Sequence, residues 1–204
     1  MQKDLEKYIQ RVIRIDEHIL ALLFSFKGNK KFCVIQVYLP SNKQTSSIYQ
    51  GHIQRIIKEE KLLKANIIIM GDFNAVNNPI KDRTGTSEKV PKKKNWRPEI
   101  PLFPYLEDLG FSDIQSIWED MTANSGSYLH TWKQRDISSW IDYIWVSQKL
   151  ALNNIRSFSN KDFNYITNSD HTFLQVTLYK KRLTDSPRKA RGKRREPRII
   201  FDLK

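Results

Sequence analysis

The run Ile67-Ile68-Ile69-Met70 constrains this chain more than any other segment. Four apolar residues in succession, three of them β-branched, leave no polar face, so a strand built from them must be covered on both sides. The run empties directly into Gly71-Asp72-Phe73-Asn74. One of its covers is legible upstream. Tyr49, Ile53, Ile56, Ile57 and Leu63 fall near helical spacing on one face, with Arg55, Lys58, Glu59 and Lys61 mostly off it. Thr45, Ser46 or Ser47 can cap that helix and Asn66 stops it.

Around this centre the pattern predicts strands at 15–26 and 31–39, joined by a Gly28-Asn29 turn and ended by Pro40. Residues 75–100 are polar and irregular. A short helix over 102–109 is closed by Gly110. Strands are expected at 128–133, 140–146 and 171–179, with a helical turn at 148–152 and an extended piece at 155–158. Strands outnumber helices, and each helix has a buried sheet to cover, which defines an α/β layered sandwich. From 180 the periodicity is lost, so the expected organisation is one domain over 1–179 and a disordered basic tail over 180–204.

Net charge is +13, and residues 180–204 carry 11 Lys/Arg against 3 Asp/Glu. A basic balance favours a polyanionic partner. Cys33 is the only cysteine, which rules out an intrachain disulfide and agrees with a reducing compartment. No apolar run approaches the roughly 18 residues needed to cross a bilayer. The charged start Met1-Gln2-Lys3-Asp4-Leu5-Glu6 has no signal-peptide core. The expectation is an intracellular protein, nuclear or cytoplasmic, with no membrane partner.

Four constellations can carry chemistry. In Gly71-Asp72-Phe73-Asn74, a carboxylate and an amide two residues apart at a strand end share one side. An Asp there can orient or deprotonate a water; an ordinary Asx turn is the bland alternative. Ser169-Asp170-His171 sits at the mouth of another strand, where one side chain can bind a metal while the other meets a phosphate, or where both merely make a turn. Asp142, inside the apolar Trp140-Ile141-Asp142-Tyr143-Ile144-Trp145, is costly to bury unpaired and needs a partner: His171, or Arg135 in a purely structural pair. Tyr38, at the end of Val37-Tyr38-Leu39-Pro40, can offer its hydroxyl to a phosphate or simply pack with its tip wet.

In order and placement the set resembles the endonuclease/exonuclease/phosphatase (DNase I-like) family. Ile-Ile-Met-Gly-Asp-Phe-Asn, Asp82-Arg83, Tyr128-Leu129-His130-Thr131-Trp132, Trp-Ile-Asp-Tyr-Ile-Trp-Val-Ser and Ser-Asp-His are most similar to the endonuclease domain of a non-LTR retrotransposon. The resemblance covers about 15–178. It implies a two-sheet α/β sandwich lacking its first strands, with the active site at the strand mouths, and a divalent-metal-dependent phosphodiesterase that nicks DNA. Asp72 would activate the attacking water, and Asn74 would orient it or hold the phosphate. His171, held by Asp142, would face the scissile phosphate, and Tyr38 would contact it from the opposite wall. Asp170 would help ligate Mg2+ or Mn2+. An intact element would carry a reverse transcriptase downstream. The family's early Asn and its metal-binding Glu have no counterpart here: Glu6 and Glu17 are the only glutamates before Tyr38, and neither stands in a Gln-Glu-Thr setting.

Lys92, Lys93, Lys94, Trp96 and Arg97 combine cations with an aromatic and can follow a phosphate backbone, or form a solvated loop. Residues 188–195 read as a nuclear-localisation or nucleic-acid patch. Two rival functions stay open. One is an inactive, truncated relic that binds nucleic acid without cutting it; the other, a phosphatase of small phosphoesters, is less favoured by the basic segments.

Overall fold

A computed structural model describes residues 3–26, 28, 30–85, 97–122, 130–161, 169–178 and 198–201. In chain order the elements are α1 (Lys3–Glu6), β1 (Ile9–Ile15), β2 (Ile19–Phe26), β3 (Lys30–Tyr38), α2 (Lys43–Leu62), β4 (Asn66–Asp72), β5 (Arg83–Thr84), α3 (Leu102–Asp108), β6 (Phe111–Asp113) and α4 (Ile114–Thr122). They continue with β7 (Trp132–Gln134), β8 (Ile137–Ser139), β9 (Asp142–Ser147), α5 (Gln148–Asn154), β10 (Ile155–Lys161), β11 (Phe173–Leu178) and β12 (Arg198–Phe201).

The main sheet runs β12-β1-β2-β3-β4-β9-β6, which puts β4, with its apolar run Ile67–Met70, well inside it. On one face, Ile53, Ile56 and Ile57 of α2 and Leu102, Phe103 and Leu106 of α3 pack on Ile67, Ile69 and Trp145. On the other, Ile68, Ile144 and Val146 meet Ile114 of α4, Leu150 of α5 and Leu174, Val176 and Leu178 of β11. Strands β10 and β11 pair, as do β5, β8 and β7. An antiparallel bridge between Trp132 and His171 joins these two small sheets into a second layer. The architecture is therefore the expected two-sheet α/β sandwich.

Several elements differ from what the local sequence pattern predicts. The expected strand over 15–26 starts later: Asp16, Glu17 and His18 turn the chain, with Asp16 at φ 46°, and β1 on the near side of the turn pairs with β2 as a hairpin. The cap of α2 is Asn42, whose side chain accepts from the amides of Gln44 and Thr45, rather than Thr45, Ser46 or Ser47. β6, α4 and β8 arise where no strand or helix was expected. The reading of 180–204 as unstructured does not hold at Arg198–Phe201. These residues pair in parallel with β1, supplying partners to backbone groups that a free sheet edge would leave open. The remainder of the tail, including the basic patch at 188–195, lies outside the described residues. Among the described residues no helix is long and apolar enough to cross a membrane.

Next to the site, Gly71 has to be glycine. Gly71 has φ 137°, and a Cβ there would lie 1.9 Å from the carbonyl oxygen of Val37 on β3. The close approach of β3 to β4 immediately before Tyr38 and Asp72 depends on its missing side chain.

Candidate active site

The ends of three adjacent strands form one row: Tyr38 on β3 is in register with Asp72 on β4, and Asp72 with Asp142 on β9. Directly opposed residues project to the same face, about 5 Å apart, so the register alone gathers a hydroxyl and two carboxylates. The ladder continues past the strand ends through Leu39 N–H to Asp72 O (2.8 Å) and Phe73 N–H to Ile141 O (2.9 Å).

Asp72 is held by its own loop. Its Oδ1 accepts the Asn74 amide at 2.8 Å and its Oδ2 accepts Asn74 Nδ2 at 3.3 Å. Asn74 reaches this geometry at φ 47°, a conformation that Asn tolerates better than most residues. Its other amide proton goes to Leu39 O at 2.8 Å. Both Nδ2 donors are thereby committed, which favours a role in holding Asp72 over one in gripping a phosphate.

Asp142 and His171 form the second half. His171 Nδ1 lies 2.9 Å from Asp142 Oδ2; the carboxylate only accepts, so Nδ1 carries the proton and Nε2 is left for other work. The partner of Asp142 is thus His171, and Arg135 sits in the β7–β8 turn at φ 54°. One ligand atom each from Asp72, Asp142 and His171 lie within 4.8 Å of one another. Asp170, exposed beside them, accepts Trp132 Nε1–H at 2.8 Å through Oδ2.

The electrostatics follow from this crowding. Burial first, and then the charges of Asp142 and Asp170, push the Asp72 carboxyl up to about 6, against the Asn74 hydrogen bond and His171. The hydrogen bond from His171 to Asp142 raises the imidazole above its ordinary value, burial opposes this, and the charges of Asp142, Asp72 and Asp170 add to the rise.

Three residues that sequence reasoning gave no role hold the site together. Thr131 is fully buried, and its Oγ1 accepts the amides of both Ile141 and Asp142 at 3.0 Å. Its carbonyl accepts Thr172 N–H at 2.7 Å, so one residue ties the Asp142 strand to the His171 strand. Trp132 anchors Asp170. Asp82 accepts Asn78 N–H (2.7 Å) and Tyr143 OH (3.1 Å) through Oδ2 and Trp140 N–H (2.6 Å) through its carbonyl, fixing the loop after Asn74 against the entry to β9. Their signal was present only as the motif segments Asp82-Arg83 and Thr131-Trp132. Lys92, Lys93, Lys94 and Trp96 lie outside the described residues, and Arg97 is exposed.

A two-layer α/β sandwich with an Asp-Asn loop and an Asp-His pair converging at the strand mouths defines the endonuclease/exonuclease/phosphatase class. Within it, the chain belongs to the endonuclease-reverse transcriptase family, whose profile matches residues 32–175. No curated protein sequence matches it. Among solved structures, the 3′ phosphatase NExo from Neisseria bound to product DNA hairpin shares 18% identity at a TM-score of 0.59, covering 81% of this chain and 66% of that one. An AP endonuclease from Archaeoglobus fulgidus shares 16% identity at TM-score 0.58, over 83% of this chain and 71% of that one. The APE2 catalytic domain of Xenopus laevis shares 13% at TM-score 0.50, over 80% and 57%. These likenesses establish the fold, and the chain spans 57–71% of the length of those structures.

Proposed function

We propose that this chain is a divalent-metal-dependent phosphodiesterase that nicks DNA. The observation that carries this reading is the convergence of Asp72, Asp142 and His171 within 4.8 Å at the end of one sheet. Asp72, with its carboxyl near 6, is matched to accept a proton from an attacking water near neutral pH. Asn74 keeps the carboxylate aimed. His171, whose Nδ1–H donates to Asp142, acts here as the imidazolium: its Nε2–H donates to a phosphate oxygen and stabilises the charge that develops there. Tyr38, half exposed at the other end of the row, offers its hydroxyl to the phosphate from the opposite wall.

The residues fit a hard cation. Mg2+ and Mn2+ prefer carboxylate oxygen, and Mg2+ is commonly held by one or two carboxylates together with water and substrate phosphate. Asp170 is exposed with most of its acceptor capacity open, and the mutual charge of Asp72, Asp142 and Asp170 already raises the Asp72 carboxyl, a repulsion that a cation offsets. Asp170 would hold it; bound there it would act as a Lewis acid on the phosphate. DNA as substrate is supported by the family's endonuclease description, by the product DNA in the Neisseria structure and by the net charge of +13.

Supercoiled plasmid with Mg2+ tests the proposal. The chain should convert it to the nicked circle, and Asp72→Ala should slow this by about 10²–10⁴. Conversion no faster than the Asp72→Ala control, alongside salt-sensitive DNA binding, would reject catalysis in favour of a binding relic.

A further inference from the structure

Tyr38 stands at the end of its strand, 50% exposed, away from the bonds that lock Asp72 and His171. A tyrosine in that position has two side-chain torsions to settle before its hydroxyl can meet a phosphate. One residue of the β1–β2 turn meets Tyr38 at both its backbone and its ring. The Tyr38 amide donates to His18 O at 2.8 Å, and His18 Nδ1 lies 2.8 Å from Tyr38 O. The carbonyl only accepts, so this nitrogen carries the proton. The two rings stack with centroids 5.6 Å apart and planes 9° from parallel. Tyr49 braces His18 from α2, its ring 4.1 Å away, and its hydroxyl donates to Asp16 Oδ2 at 3.0 Å. The His18 side chain is only 13% exposed, so the buried partner of this stack supports the exposed one.

We infer that His18 is a positioning residue: through its Nδ1–H bond to the Tyr38 carbonyl and its parallel stack on the phenol, it fixes the direction in which Tyr38 presents its hydroxyl. The inference deepens the proposed function, because it rests on Tyr38 as the phosphate contact. An aromatic pair of this kind contributes about 0.5–1.5 kcal/mol beyond its buried area, which converts to about a 2- to 10-fold effect on a step that needs the ring in place.

The test is a double-mutant cycle on the full chain, with an independent readout of the ring. His18→Ala should lower the nicking rate at saturating DNA about 2- to 10-fold, and His18→Phe, which keeps the stack, should recover part of the loss. In a Tyr38→Phe background His18→Ala should cost nothing further; losses that multiply would overturn the inference. In protein labelled with 3-fluorotyrosine, the Tyr38 resonance is the one missing from Tyr38→Phe. His18→Ala should shift it and His18→Phe should largely hold it. An unmoved resonance in folded His18→Ala overturns the inference whatever the activity. A resonance that moves in a chain that never nicks retains the His18 support and removes the proposed function instead.

Discussion

Replacing Thr131 by Val gives the sharpest test of how the site is held. The two side chains have nearly the same shape, and Thr131 is fully buried, so the substitution exchanges one hydroxyl for one methyl with little change in packing. That hydroxyl accepts two amides, Ile141 N–H and Asp142 N–H, each at 3.0 Å. Leaving a buried donor without its acceptor costs about 1–3 kcal/mol, so two give about 2–6 kcal/mol. Local relaxation should keep the loss near the lower half, about 2–4 kcal/mol, within the 5–15 kcal/mol typical of a domain. Thr131→Ser keeps the oxygen and should lose only about 1 kcal/mol for the deleted methyl. Urea unfolding followed by tryptophan fluorescence measures both, with Trp132, Trp140 and Trp145 close to the change. Because Asp142 follows its own amide, Val should also slow nicking more than Ser does. A Val variant within 1 kcal/mol of wild type, or a Ser variant equally destabilised, would refute the reasoning.

Gly71→Ala should destabilise by about 3 kcal/mol or more, since its Cβ would meet Val37 O at 1.9 Å at φ 137°; a thermal midpoint near wild type would contradict the close strand approach. Glu60 is 1% exposed and both its carboxylate oxygens lack hydrogen bonds; burial raises its pKa, while Arg11 partly opposes this. Its folded pKa therefore exceeds its unfolded one, so the protonated form's stability is present below the ordinary glutamate range and is lost as pH rises through the folded pKa. Glu60→Gln should accordingly raise the urea midpoint at pH 7 and do so less at pH 4; an equal gain at both would contradict this. Trp132→Phe removes the donor to Asp170 Oδ2 and should raise the Mg2+ concentration needed for half-maximal nicking several-fold, with stability changed by about 1 kcal/mol or less; an unchanged Mg2+ titration would detach Trp132 from metal binding.

What was legible in the sequence depended on signals contained in short stretches. The apolar run at Ile67–Met70 could only be a doubly covered strand, and the α2 stripe of Ile53, Ile56 and Ile57 showed one of its covers. Asp142 announced its need for a partner because a charge stood inside an apolar run of sequence, and His171 meets it. The supports were not legible in the same way. Thr131 acts on backbone amides ten and eleven residues away, and Trp132 reaches Asp170 only because a long-range bridge sets it beside His171. Strands β5, β7 and β8 are two or three residues long, too short to show a period. β1 is masked in the sequence by Arg11 and Arg14, which interrupt its apolar positions, and Asn42 caps α2 from ahead of Thr45 and the serines, which carry the same local preference. Glu60 runs against the polarity expected of its buried position, and no local pattern announces it.

Because Tyr38, Asp72 and Asp142 are cross-strand partners on three successive strands, the make-up of the candidate site is tied to sheet alignment. A slip of a single residue in β4 would turn the Asp72 side chain toward α2 and bring Gly71 or Phe73 to its station, inverting the face of every side chain along the strand. Such a molecule could stay compact and largely β-structured while losing the Asp72 carboxylate from the row entirely. On the proposed reading, nicking would then report on strand alignment more sensitively than any measure of overall folding, and the clash a side chain at Gly71 would make is one of the latches that prevent the slip.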